Sequence, residues 1–131
     1  MNIEDVCTKI LDSVPKALAA GVVDMGTGML LDVKTTDSHP SEVLDMVAAA
    51  TKDLFEGETV TEVEETFRKL RGDKNTARYF KEIIVNSTNL IHVFLRVPSA
   101  ENIVVTVVCR IDANLGMVLT KSRSAVHDIK V

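Results

Sequence analysis

Residues 102–111, NIVVTVVCRI, constrain the fold more than any other stretch of the chain. A β-strand sends alternate side chains to opposite faces, so Ile103, Val105, Val107, Cys109 and Ile111 fall on one side and Val104, Thr106 and Val108 on the other. Both sets are apolar apart from Thr106. A strand at a solvated surface would show one polar face, whereas one that is apolar on both faces must be covered on both and belongs at the centre of a sheet. The rest of the chain has to supply neighbouring strands and helices above and below.

Two further strands precede it. YFKEIIVNS (79–87) and LIHVFLRVP (90–98) are joined by Ser87-Thr88-Asn89, and Pro98 to Asn102 lead into the central strand, which predicts an antiparallel meander. In the middle strand Ile91, Val93, Leu95 and Val97 make one apolar face; Leu90, His92, Phe94 and Arg96 alternate in character, and His92 reads as a satisfied, half-buried histidine. Earlier in the chain, KALAAGVVDM (16–25) and MLLDVKT (29–35) predict a hairpin around Gly26-Thr27-Gly28, with both glycines expected at positive φ. Asp24-Met25-Gly26-Thr27 also looks like the phosphate loop of actin-like and sugar-kinase ATPases, and Gly21 to Gly26 like half a P-loop. A P-loop needs Lys-Ser or Lys-Thr after its last glycine and then a helix; here Thr27-Gly28 and a strand follow. An actin-like site needs two large domains, more than 131 residues can provide. The loop therefore reads as a turn.

Helical periodicity fills the gaps. Ile3, Val6, Cys7, Ile10 and Leu11 predict an amphipathic helix over 2–13, stopped by Pro15. A second helix is expected over 40–56, with Ser38 or His39 near its cap, Pro40 in its first turn and Gly57 just past its end. Leu44, Val47, Ala48, Leu54 and Phe55 cover one side of it, while Val43, Met46 and Ala50 cover another. A surface helix carries one apolar stripe, so this one is either enclosed or meets a second chain. Thr59-Val60-Thr61-Glu62 has the form of a capping box, and Val60, Val63, Phe67 and Leu70 then predict a short helix over 60–71, with Glu62, Glu64 and Glu65 on its polar face. RGDKNTAR (71–78) reads as a polar loop. Asn114 or Asp112 can cap a last helix that returns Leu115, Val118, Leu119, Val126 and Ile129 to the core, with Lys121, Arg123 and Lys130 toward its negative end.

With a net charge of −4 and no stripe of Lys and Arg, the chain is not expected to bind nucleic acid. No apolar run approaches the ~20 residues of a membrane span, and the acidic start MNIED is no signal peptide, so no membrane insertion and a cytoplasmic location are expected. Cys7 and Cys109 form no CxxC and read as reduced core thiols. His39, His92 and His127 lack ligand spacing. No metal, cofactor or catalytic constellation is expected.

The element order α-β-β-α-(α)-β-β-β-α over 1–131 resembles the roadblock/dynein light chain family, related to longin and profilin-like folds. The resemblance rests on the hairpin AAGVVDMGTGMLLDV and, above all, on the junction Asp112-Ala113-Asn114-Leu115-Gly116 between the buried strand and the last helix. The stretch 57–77 departs from it by adding a helix. The resemblance implies one α+β domain, a five-stranded antiparallel sheet with helices on both faces. It also implies a non-enzymatic homodimer that scaffolds or regulates a partner such as a small Ras-like GTPase. Any arginine offered to such a GTPase would be Arg68, Arg71 or Arg78. The alternative is a small-ligand sensory domain with a pocket between sheet and helices, disfavoured by 4% aromatic residues and no Trp. Residues 79–87 are expected at a sheet edge, and the self-association surface is expected to comprise Val43, Met46, Val47, Ala50, Tyr79, Lys81, Ile83, Ile84 and Val85.

Overall fold

The computed structural model describes residues 2–36, 41–72 and 80–129, and of residues 41–45 the backbone alone. The expected caps Ser38, His39 and Pro40, most of the 71–78 loop, Arg78, Tyr79 and Lys130 lie outside the described residues. The elements are α1 (Ile3–Ser13), β1 (Ala17–Asp24), β2 (Met29–Thr35), α2 (Ser41–Glu56), α3 (Glu58–Arg71), β3 (Glu82–Asn86), β4 (Leu90–Val97), β5 (Ala100–Arg110) and α4 (Leu115–His127). The strands form one antiparallel sheet in the order β2-β1-β5-β4-β3, so the doubly apolar strand lies at its centre and β3 at an edge, as expected.

One face carries the larger core. Ile91, Val93, Leu95 and Val97 of β4 and Ile103, Val105, Val107 and Cys109 of β5 pack under Val6, Cys7 and Ile10 of α1 and Val118, Ala125 and Val126 of α4. Asn2 caps α1 by accepting from the Asp5 amide at 3.1 Å, and Asn114, rather than Asp112, caps α4 by accepting from the Met117 amide at 3.1 Å. Leu115 and Ile111 are exposed rather than in the core, the latter because β5 ends at Arg110. The other face carries a smaller core of Val23, Met25, Phe94 and Val104 under Ala48 and Phe55 of α2.

Two local expectations are corrected. Only Gly28 takes positive φ in the hairpin, at 73°. Helix α3 begins at Glu58, capped by Gly57, so Thr59 lies inside it and no capping box forms. The Asp53 carbonyl accepts from the Gly57 amide at 3.1 Å, closing α2, and the Gly57 carbonyl accepts from the Thr61 amide at 2.9 Å, opening α3. One residue thus serves both helix ends, leaving no linker in which Thr59 could act as a cap.

Candidate interaction surface

The β3 edge is short and apolar. Among the described residues, Glu82 to Asn86 pair with β4 on one side only, and no strand neighbours their outer backbone N–H and C=O groups. Ile84 and Val85 are 40% and 39% exposed, and Ile83 turns inward to the smaller core. The edge is held firmly: Arg123 of α4 grips Glu82 through two hydrogen bonds of 2.8 and 2.7 Å. These bonds keep the Glu82 carboxyl below its ordinary pKa. Lys81, just before the strand, is exposed and lies 3.9 Å from Glu101. The opposite edge, β2, differs. Its register with β1 shifts between Val22 and Val23, a bulge that passes over Leu31, and it carries Asp32 and Lys34. Bulges and charges discourage strand addition, so β3 is the more receptive edge.

Helix α2 presents its second apolar face to solvent. Met46 is 71% exposed, and Ala49 and Ala50 are exposed beside it. Leu54, grouped with Phe55 on one side of the helix, proves to be exposed, as does Val47, which the expected self-association surface includes. The inward stripe is Ala48, Thr51 and Phe55, one residue every three or four, and Val47 and Leu54 each lie about 100° round the helix from a member of it. The side chain of Val43 lies outside the described residues. In α3 the apolar stripe is likewise exposed: Val63, Phe67 and Leu70, the last at 78%. The buried face of α3 instead holds Glu64, which does not share the polar face of Glu62 and Glu65 as expected. Arg68 is half-buried on the Glu64 side, and Arg71 is exposed.

Strand register sorts the α2 face of the sheet into rows. Arg96, Val104, Val23 and Leu30 form the first; Ile83, Phe94, Thr106, Gly21 and Val33 the second; Val85, His92, Val108, Ala19 and Thr35 the third. Helix α2 covers the first row and reaches the second, where Phe55 meets Phe94 edge-on at 6.4 Å between ring centres. Beyond it lies an open apolar trough of about 380 Å³, floored by Gly21, Thr106 and Val108 and walled by Val33, Val47 and His92. His92 is half-buried; its Nε2 lies 3.4 Å from the Ser87 hydroxyl, and burial lowers its pKa. The Thr106 hydroxyl is buried with no hydrogen-bond partner among the described residues.

An ion pair pins α2 over the covered end, and sequence reasoning missed it. Arg96 is 4% exposed; it donates to Glu56 Oε2 at 3.0 Å and to the carbonyls of Phe80 and Glu101 at 2.9 and 2.7 Å, and it stacks over Phe55. The alternating pattern of β4 gives Arg96 no burial signal.

The glycine loop is a closed turn. Asp24 accepts through one carboxylate oxygen from the Gly26 amide and through the other from the Thr27 hydroxyl, each at 3.0 Å. The Asp24 carbonyl accepts from the Gly28 amide at 2.8 Å, and the Thr27 hydroxyl accepts from the Met29 amide at 3.2 Å. These amides serve the turn itself, unlike those of a phosphate loop, which point at a ligand. Among the described residues, no group of three His, Cys, Asp or Glu side chains could hold a metal ion, and no helix is long and apolar enough to cross a membrane.

No protein-family model matches the sequence, and no curated protein matches it. Solved structures do. A Roadblock/LC7 domain from Streptomyces avermitilis superposes with a TM-score of 0.68 at 11% identity, over 96% of this chain and 92% of that one. Myxococcus xanthus MglB gives 0.70 at 18% identity, over 95% and 88%. The gliding protein MglB from Thermus thermophilus gives 0.68 at 21% identity, over 94% and 82%.

Proposed function

We propose that this chain, which has the roadblock/LC7 fold, works as a non-enzymatic interaction module. It is a homodimer, built by antiparallel pairing of β3 with its own copy, that scaffolds or regulates a partner such as a small Ras-like GTPase. The observation that carries the reading is the contrast between the two sheet edges: β2 is bulged, with Asp32 and Lys34 along it, whereas β3 keeps an unbroken register, carries exposed Ile84 and Val85, and is buttressed by Arg123. Pairing there would join two sheets into one, with the Glu56 end of α2 nearest the two-fold and its outer stripe of Met46, Val47 and Ala50 toward the β1–β2 side, free to meet the partner protein. Of the expected surface, Lys81, Ile83, Ile84 and Val85 would take part in this pairing, Met46, Val47 and Ala50 would serve the partner protein, and Tyr79 and the side chain of Val43 lie outside the described residues. A partner GTPase would be acted on by holding its switch loops or by an arginine such as Arg68 or Arg71.

Light scattering of the unmodified protein tests the dimer. A stable monomer at about 100 µM, well above the dissociation constant of a standard-sized interface, would overturn it. Ile84→Pro, which removes a backbone donor from the pairing strand, should weaken association at low micromolar concentration, with circular dichroism certifying that the fold is kept.

A further inference from the structure

We infer that α3 of each protomer crosses the two-fold and lays Val63, Phe67 and Leu70 into the apolar trough of its partner. The inference rests on the β3 pairing proposed above and says what that pairing is for. In an antiparallel β3–β3 pair the Glu82 end of one strand lies beside the Asn86 end of the other. The covered end of one sheet therefore adjoins the bare end of the next, where Val85, His92 and Val108 form the third row.

Helix α2 points toward that junction. Lys52 donates to the Gly26 carbonyl at the β1–β2 turn, whereas four residues later Glu56 meets Arg96 on β4, one strand from the edge. Helix α3 starts there, after Gly57 alone, and α2 is the one element of its own protomer, among the described residues, on which it packs to any extent. Its 14 residues span about 21 Å at 1.5 Å each. Four strand spacings, from its own β4 to the partner's β5, come to about 19 Å.

The surfaces match in kind. One is a helical stripe at positions 63, 67 and 70 with Leu70 78% exposed; the other is a trough whose lining is apolar but for His92 and a few Thr side chains. A five-residue strand edge buries too little to reach the ~800 Å² per partner of a standard interface, and α3 in the trough supplies the missing area. A second copy is the occupant that this geometry delivers to the trough without any further component.

Paired cysteines test it in the full chain. Cys7 and Cys109 are buried and their thiols are pushed up to about 12 and about 11, so they stay silent under mild oxidation at neutral pH. The double variant Leu70→Cys/His92→Cys should form an interchain disulfide, seen on a non-reducing gel at twice the 14.3 kDa chain mass and at least tenfold stronger than in either single variant. Leu70→Cys/Val108→Cys repeats the test, and circular dichroism certifies each variant as folded. A protein that is dimeric by light scattering yet gives no interchain disulfide in either pair overturns the placement of α3 while leaving the dimer standing, with the trough open to a small ligand or another protein. A monomeric protein overturns both.

Discussion

Replacing Arg96 by Leu tests whether the buried ion pair holds α2 on the sheet. The guanidinium is almost wholly buried and makes three hydrogen bonds, to Glu56 and to the carbonyls of Phe80 and Glu101, while lying 5.1 Å from the Phe55 ring centre. Leucine keeps the apolar stem but withdraws the donors from two carbonyls and a carboxylate. Breaking a buried pair from one side costs about 3–5 kcal/mol. The Glu56 side chain is 16% exposed and can gain water, which argues for the lower end of that range. A loss of about 3 kcal/mol corresponds to a fall in Tm on the order of 10 °C for a chain of this size. Arg96→Lys should recover only part of it, since an ammonium cannot reproduce the planar fork. Urea unfolding followed by circular dichroism measures both variants. A loss below about 1 kcal/mol for Arg96→Leu would show that α2 is held by Phe55 and Ala48 alone, and the pinning argument would fail.

Acid should weaken the fold from a defined side. Hydrogen bonds from Arg123, Lys16 and Lys9 hold Glu82, Asp112 and Asp128 below their ordinary pKa values. A depressed folded pKa contributes stability that is present above the unfolded value, near 4, and is lost as pH falls through the folded value. Unfolding midpoints should hold down to about pH 5 and drop below pH 4; Arg123→Met should flatten the Glu82 share of that drop, and an unaltered acid profile would count against the pair. Gly57→Ala should destabilise by about 1–3 kcal/mol in thermal melts, because its Cβ would sit 2.6 Å from the Asp53 carbonyl oxygen. Gly72→Ala meets no atom of the described residues within 4 Å and strains its φ of +63°, at about 1 kcal/mol; equal costs at the two sites would refute the tight corner.

What could be read from the sequence was set by periods that local sterics enforce. The two apolar faces of β5 placed it centrally, the β3 edge followed from the meander, and a cap at Asn114 or Asp112, resolved as Asn114, marked the start of α4. What could not be read depended on distant partners. Arg96 sits on a mixed face of β4 and becomes a core residue only because Glu56, 40 positions away, is folded over it. Leu54 was grouped with Phe55 because a helix that is apolar around most of its circumference offers no contrast from which to locate its buried stripe. Glu64 reads as surface charge beside Glu62 and Glu65, yet α3 turns it inward and its apolar stripe out. The expected site residues divide likewise: Met46, Val47, Ala50, Ile84 and Val85 are exposed, Ile83 is drawn into the smaller core, and Tyr79 lies outside the described residues.

The outward stripes of α2 and α3 and the bare end of the sheet share one physical origin. A helix with its side chains is about 10 Å across, whereas a strand of eight residues is about 26 Å long. On the larger-core side two helices, α1 and α4, lie over the sheet and bury β4 and β5 along most of their length. On the other side α2 is, among the described residues, the one helix of the core and covers one end, so the same strands that are buried on both faces near Val104 open into the trough near Val108. A sequence whose central strand is apolar on both faces calls for cover over the whole of it, and the described residues of one protomer carry one helix too few on that side. The helix that could complete the layer is present in the chain, but it is joined to α2 at the opposite end of the sheet by a single glycine. Reaching the trough from there is a task for a second copy.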